Sequence, residues 1–147
     1  MLPACRPAPG SPALAAGPAH RIGLLGRSAG GFGALLLAER LGAARVAGVA
    51  AASPALWRQA SQTVAGAFDD AAHFALHDVF AGRDRLAGTR VRIDCGWGEP
   101  FLDAAQDFAG GLAPAPAGGW GFGAHDGAYW QRLAPDQMRF LAGALSG

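Results

Sequence analysis

Ser28 lies in Gly26-Arg27-Ser28-Ala29-Gly30, a G-x-S-x-G arrangement between a short apolar run and a segment with helical periodicity. A serine on a sharp strand-to-helix turn presents its hydroxyl outward and becomes a nucleophile when a base takes its proton. Steric reasoning adds that residues two before and two after such a serine must be small, because strand and helix backbones converge there. Gly31 and Gly33 extend that small surface. The five-residue pattern is weak by itself. Glycine supplies 23 of 147 residues, so a given serine is flanked this way by chance at roughly 2–3%, and the strand–helix context has to carry the reading. The plain alternative is a glycine-rich turn whose serine caps a helix. A dinucleotide site is discounted because G-x-G-x-x-G is absent from this turn.

A nucleophilic serine needs a base, and the chain has four histidines. His20 abuts the first apolar run and reads as a loop residue. His73 and His77 are spaced i, i+4 on one helical pattern. That spacing can hold a metal, but the Glu of H-E-x-x-H is missing and no third ligand is evident, so two solvated or half-buried helix histidines are expected, with no metal and no cofactor. His125 sits in Gly123-Ala124-His125-Asp126-Gly127, after the last apolar run and before the final helical pattern. The acid that orients such a histidine lies between serine and histidine in this chain order. Asp94, Glu99 and Asp103 all fall in the right stretch. Asp94 is within a strand pattern, facing away from Ile93. Asp103 precedes Asp107 by one turn on a solvated helix face. Glu99 follows Gly96 and Gly98 in a loop, or opens a helix with Pro100 in its first turn.

The elements that position these residues read as short strands alternating with helices. Strand patterns cover Arg21–Gly26 (a buried run), Arg45–Ala52, Thr89–Cys95 and Gly118–Gly123. Helical patterns cover Ala29–Leu41, Asp69–Phe80, Glu99–Leu112 and Tyr129–Leu145, the last expected to break near Pro135. The order β-α-β-α-β-α-β-α means an α/β fold of about four parallel strands with crossover helices on both faces. Ligands in such sheets bind beyond the carboxyl ends of the strands, where Ser28, Glu99 and His125 all fall.

Composition narrows the function classes. Half the residues are apolar, enough for a core, and the formal net charge is +1. No basic stripe with interleaved aromatics occurs, so no nucleic-acid partner is expected. All 12 basic residues are Arg. Without a lysine, neither a Walker-type phosphate loop nor a Schiff-base mechanism is open to the chain. Cys5 and Cys95 form no metal-binding spacing; two free thiols with Cys95 buried in a strand are favoured over a Cys5–Cys95 disulfide. Residues 1–19 are rich in Pro, Ala and Gly and read as a tail preceding one domain at 20–147. The tail lacks a signal-peptide pattern, and no apolar run is long enough to span a membrane, which leaves the cytoplasm as the expected compartment.

Four stretches together resemble one family: GRSAGGFGALLLA from Gly26, VAAASPALW from Val49, IDCGWGEPFLDAAQDFAGGL from Ile93 and GAHDGAYWQRLAPDQMRFLAGAL from Gly123. They are similar to the esterase branch of the α/β-hydrolases, which includes esterase D-like enzymes, enterochelin esterases and the antigen 85 mycolyltransferases. The resemblance implies that Ser28 is the nucleophile, that Glu99 in Gly96-Trp97-Gly98-Glu99-Pro100-Phe101 is the acid, and that His125 before Tyr129-Trp130 is the base. It implies the Ala29 N–H as one oxyanion donor and a small-molecule ester as substrate. Glutamate departs from the family's usual aspartate. Such folds have about eight strands and draw a second oxyanion donor from an early loop, so the chain is expected to be the C-terminal half of a hydrolase domain, truncated, with its first strand on an open edge prone to self-association. A mycolyltransferase-like acyltransferase and a non-catalytic remnant or binding module are the competing expectations.

Overall fold

The computed structural model describes residues 20–147. The stretch 1–19 lies outside the described residues, and with it Cys5 and the question of its pairing. The main elements are β1 (Ile22–Arg27), α1 (Ala29–Leu41), β2 (Val46–Ala52), α2 (Ala71–Leu76), α3 (Val79–Gly82), β3 (Arg90–Gly96), α4 (Leu102–Gly110), β4 (Ala117–Gly121) and α5 (Gly127–Leu145), with 3₁₀ turns at Ala60–Gln62 and Arg83–Leu86.

The four strands form one sheet in the order β1-β2-β3-β4. Every pairing is parallel, with Leu25 opposite Ala50, Ala51 opposite Ile93, and Cys95 opposite Trp120. Parallel pairing sends all four strands out at one edge, so the segments after Arg27, Ala52, Gly96 and Gly121 emerge side by side. Strand alternation divides the core. Val49, Ala51, Ile93 and Cys95 join Leu35, Ala38, Ala105 and Phe108 in one cluster under α1 and α4. On the other face α5 packs so close that a Cβ at Gly48 would stand 2.8 Å from the Ala144 methyl. This explains β2, whose seven residues are all buried yet mostly alanine. A strand sandwiched between two helices is coded by smallness as much as by hydrophobicity.

Four expectations are corrected. β1 is not fully buried: Ile22 and Leu25 are each 37% exposed, because β1 has a neighbour only on its β2 side among the described residues. The single helix expected over Asp69–Phe80 is two short ones. Asp78 interrupts it by accepting hydrogen bonds from Phe80 N and Ala81 N, which starts α3 afresh, as short acidic side chains do at helix starts. α4 begins at Leu102, so Glu99 precedes the helix. Finally, α5 starts at Gly127 and continues through Pro135 without a break. The carbonyl that Pro135 cannot bond belongs to Gln131, an exposed residue, so water can satisfy it.

Candidate active site

Ser28 stands at the turn from β1 into α1 with φ 52° and ψ −123°. That φ is one L-residues rarely adopt, and local bonds hold it: Ser28 N donates to Ala52 O at 3.0 Å, and Ser28 O accepts from Phe32 N at 3.1 Å and Ala55 N at 3.0 Å. The flanking glycines are not equivalent. A Cβ on Gly26 would land on the Gly30 carbonyl, whereas a Cβ on Gly30 would meet nothing. The expectation that both positions must be small holds for Gly26 alone. Gly31 has a real constraint, lying against Pro54, and Gly33 has none.

Glu99 and His125 come from the loops after β3 and β4. Two backbone bonds tie these loops together, Trp97 N to Gly121 O at 2.8 Å and Gly98 N to Gly123 O at 3.1 Å. The approach requires glycine at two points. A Cβ on Gly96 would strike the Gly123 carbonyl, and one on Gly123 would strike the Tyr129 ring. Asp126 then caps α5 through Tyr129 N at 2.9 Å, which fixes the backbone next to His125.

Side chains converge across these loops. His125 Nε2 lies 2.8 Å from Ser28 Oγ, and His125 Nδ1 lies 2.5 Å from Glu99 Oε2. The Glu99 side chain is fully buried, while the His125 side chain keeps 30% of its surface exposed. The imidazole is walled by Phe101 and Trp130, with ring centroids at 5.5 and 5.2 Å. Two residues outside the sequence expectation complete the set. Ser53 Oγ is hydrogen-bonded to Glu99 Oε1, and Trp130 Nε1 donates to Ser53 Oγ at 2.9 Å. Ser53 directly follows the last residue of β2. A polar residue directly after an all-apolar strand, beside a carboxylate with two oxygens to satisfy, was the available signal.

The other candidates are occupied elsewhere. Asp94 takes a paired hydrogen bond from Arg92 at 2.7 and 2.9 Å, and burial raises its pKa, partly offset by that arginine. Asp103 is exposed, and Asp107 pairs with Arg58 at 2.5 Å. His73 and His77 stack edge to face at 4.6 Å. Their Nδ1 atoms are engaged by Asp69 N at 3.1 Å and His73 O at 2.7 Å respectively. No group of three or more His, Cys, Asp or Glu side chains is placed to hold a metal among the described residues. His20 is exposed. Cys95 is buried, and burial together with the Glu99 charge pushes its thiol up to about 12, so no thiolate nucleophile competes there. The Ala29 N–H belongs to the first turn of α1, where amides have no intrahelical acceptor. No helix of the described residues is long and apolar enough to cross a membrane.

No family model matches the chain, and no curated protein matches it. Solved structures do. The S-formylglutathione hydrolase FrmB of Staphylococcus aureus superposes with a TM-score of 0.61 at 22% identity, over 81% of this chain and 50% of that one. The S. aureus fluorophosphonate-binding serine hydrolase FphF gives 0.63 at 21% identity, over 81% and 53%. A ferulic acid esterase gives 0.66 at 20% identity, over 82% and 51%. The chain has the α/β-hydrolase fold over the part that it spans, about half the length of the solved structures it matches.

Proposed function

We propose that the chain carries the nucleophile, base and acid of a serine carboxylic-ester hydrolase acting through an acyl-enzyme on Ser28. The observation that carries this reading is the unbroken run of contacts Ser28–His125–Glu99 across three loops at the carboxyl edge of the sheet. In the reaction, Ser28 Oγ attacks the ester carbonyl while His125 Nε2 takes the hydroxyl proton. The carbonyl oxygen becomes an oxyanion, to which the Ala29 N–H donates. His125 returns the proton to the departing alkoxide, and the alcohol leaves. Water then repeats the sequence on the acyl-enzyme, releasing the acid and restoring Ser28. Buried Glu99 holds the imidazole and offsets its positive charge in both halves of the cycle. The similar structures, an S-formylglutathione hydrolase and a ferulic acid esterase among them, support a small-molecule ester substrate. Whether water or an alcohol accepts the acyl group separates hydrolase from acyltransferase, and the same three residues would serve either.

Turnover of p-nitrophenyl esters by the purified chain tests the reading. Ser28→Ala and His125→Ala should each abolish it. Full activity in Ser28→Ala would overturn the assignment of Ser28 as the nucleophile, whereas a folded wild-type chain that turns over no ester at all would favour a non-catalytic binding module.

A further inference from the structure

We infer that Ser53 and Trp130 are positioning residues of this site: the Trp130 indole fixes the direction of the Ser53 hydroxyl, and that hydroxyl holds Glu99 so that His125 keeps the tautomer able to take the Ser28 proton. The inference rests on the hydrolase reading of Ser28, Glu99 and His125.

The argument follows the protons. An indole N–H can only donate. Trp130 Nε1 points it at Ser53 Oγ over 2.9 Å. The single hydroxyl proton of Ser53 is therefore directed to its other partner, Glu99 Oε1. Glu99 then accepts on one oxygen from Ser53 and on the other from His125 Nδ1 at 2.5 Å. A carboxylate cannot donate, so the imidazole proton sits on Nδ1 and the lone pair on Nε2. That lone pair lies 2.8 Å from Ser28 Oγ. The indole anchors the chain at its donor end, as the carboxylate does at its acceptor end, and the hydroxyl between them is left one direction. Trp130 also closes on the imidazole directly, edge to face at 5.2 Å.

Burial makes the hydroxyl consequential. Ser53 is fully buried, and so is the Glu99 side chain, so removing the hydroxyl leaves Oε1 without a donor in a place water does not reach. The backbone points the same way. Among the described residues, the non-glycine positions with positive φ are Ser28 at 52° and Ser53 at 47°. Glycine would hold the Ser53 conformation at less cost. A side chain kept against that preference is a reason to look for a role in the hydroxyl.

The conformation also supplies a clean variant. Ser53→Gly removes the hydroxyl and suits the backbone, and Trp130→Phe keeps an aromatic ring while removing the N–H. Long-range ¹H–¹⁵N correlation spectra of histidine-labelled protein report the His125 tautomer whether or not an ester turns over. His125→Gln identifies its signals. The wild-type chain should show the Nδ1–H form alone, and each variant a mixture with the Nε2–H form. In ester turnover Ser53→Gly should lower kcat roughly 10- to 100-fold, the size of a lost hydrogen bond to a charged group, with KM changed by about twofold or less. The double variant should be no slower than Ser53→Gly, because Trp130 acts through Ser53. A Ser53→Gly chain with the single Nδ1–H tautomer and wild-type kcat would overturn the inference, and so would additive losses in the double variant. Full turnover in Ser28→Ala would instead remove the hydrolase reading, leaving the tautomer result to stand or fall separately.

Discussion

At the residue scale, the competing acids separate by environment. The Glu99 side chain is fully buried and reaches His125, whereas Asp94 is committed to Arg92 on the opposite face of β3 from Ile93. Glu99→Gln is expected to lower kcat by about 10³–10⁴ with little change in substrate binding, as loss of an orienting acid does. Asp103→Asn should be almost silent in the same assay. Asp94→Asn should cost stability, measured by denaturant unfolding, and spare kcat; a crippled but stable Asp94→Asn chain would mean that the wrong acid has been chosen. Ser28 and His125 have local signals in the sequence, small neighbours and a position after a strand, whereas only the family resemblance separates Glu99 from Asp94 and Asp103. Ser53 offers only a polar residue after an all-apolar strand, and Trp130 offers no local signal for this contact. Their roles depend on the 2.9 Å meeting of residues 77 positions apart, and no periodicity encodes a contact of that kind.

At the scale of elements, the β1–α1 turn makes an uneven demand on its glycines. Gly26→Ala forces a methyl group into the Gly30 carbonyl, while Gly30→Ala enters open space. The first should destabilise the chain by about 1–3 kcal/mol or more, in the range of overpacking. The second should be neutral or slightly stabilising, since alanine is the better helix residue; thermal unfolding of both variants distinguishes them. α1 carries a second signature in Glu39, which is buried with Oε1 unpartnered. Burial raises its pKa from 4.5 to about 8, with Arg85 opposing and Asp78 adding to the rise. The sign follows from which state binds the proton. Between pH 4.5 and 8 the folded chain keeps it and the unfolded chain loses it, so stability falls by up to ~1.4 kcal/mol per pH unit as pH rises. Below that window the contribution is fully present, and above it the loss levels off. Glu39→Gln should flatten this slope in denaturant titrations across the window; an unchanged slope would place the titration elsewhere. The order and type of β1, α1, β2, β3 and β4 were legible because apolar runs and helical periods are local. The break at Asp78 was not, because a capping acid and a solvated acid are written alike in sequence. Nor was the unbroken passage through Pro135, which depends on Gln131 facing solvent.

For the molecule as a whole, the sheet order places the apolar strand β1 at an edge of the described structure, with Ile22 and Leu25 partly exposed. Open edges pair with other chains. We therefore expect the purified 147-residue polypeptide to self-associate, seen as a concentration-dependent mass in light scattering; a monodisperse monomer at all concentrations would contradict this. The chain matches about half of each similar structure, and Ala29 is the one oxyanion donor proposed within it. Each such donor is worth on the order of 10²–10³ in kcat, so the rate of ester turnover depends on the oxyanion site as well as on Ser28. The nucleophile is best tested by an event that need happen only once. The most direct measurement is covalent labelling with an alkyl fluorophosphonate followed by peptide mass mapping. The account predicts one adduct, on the peptide carrying Ser28, absent in Ser28→Ala and formed much more slowly in His125→Ala. No adduct on the folded chain, or labelling that persists in Ser28→Ala, would contradict it.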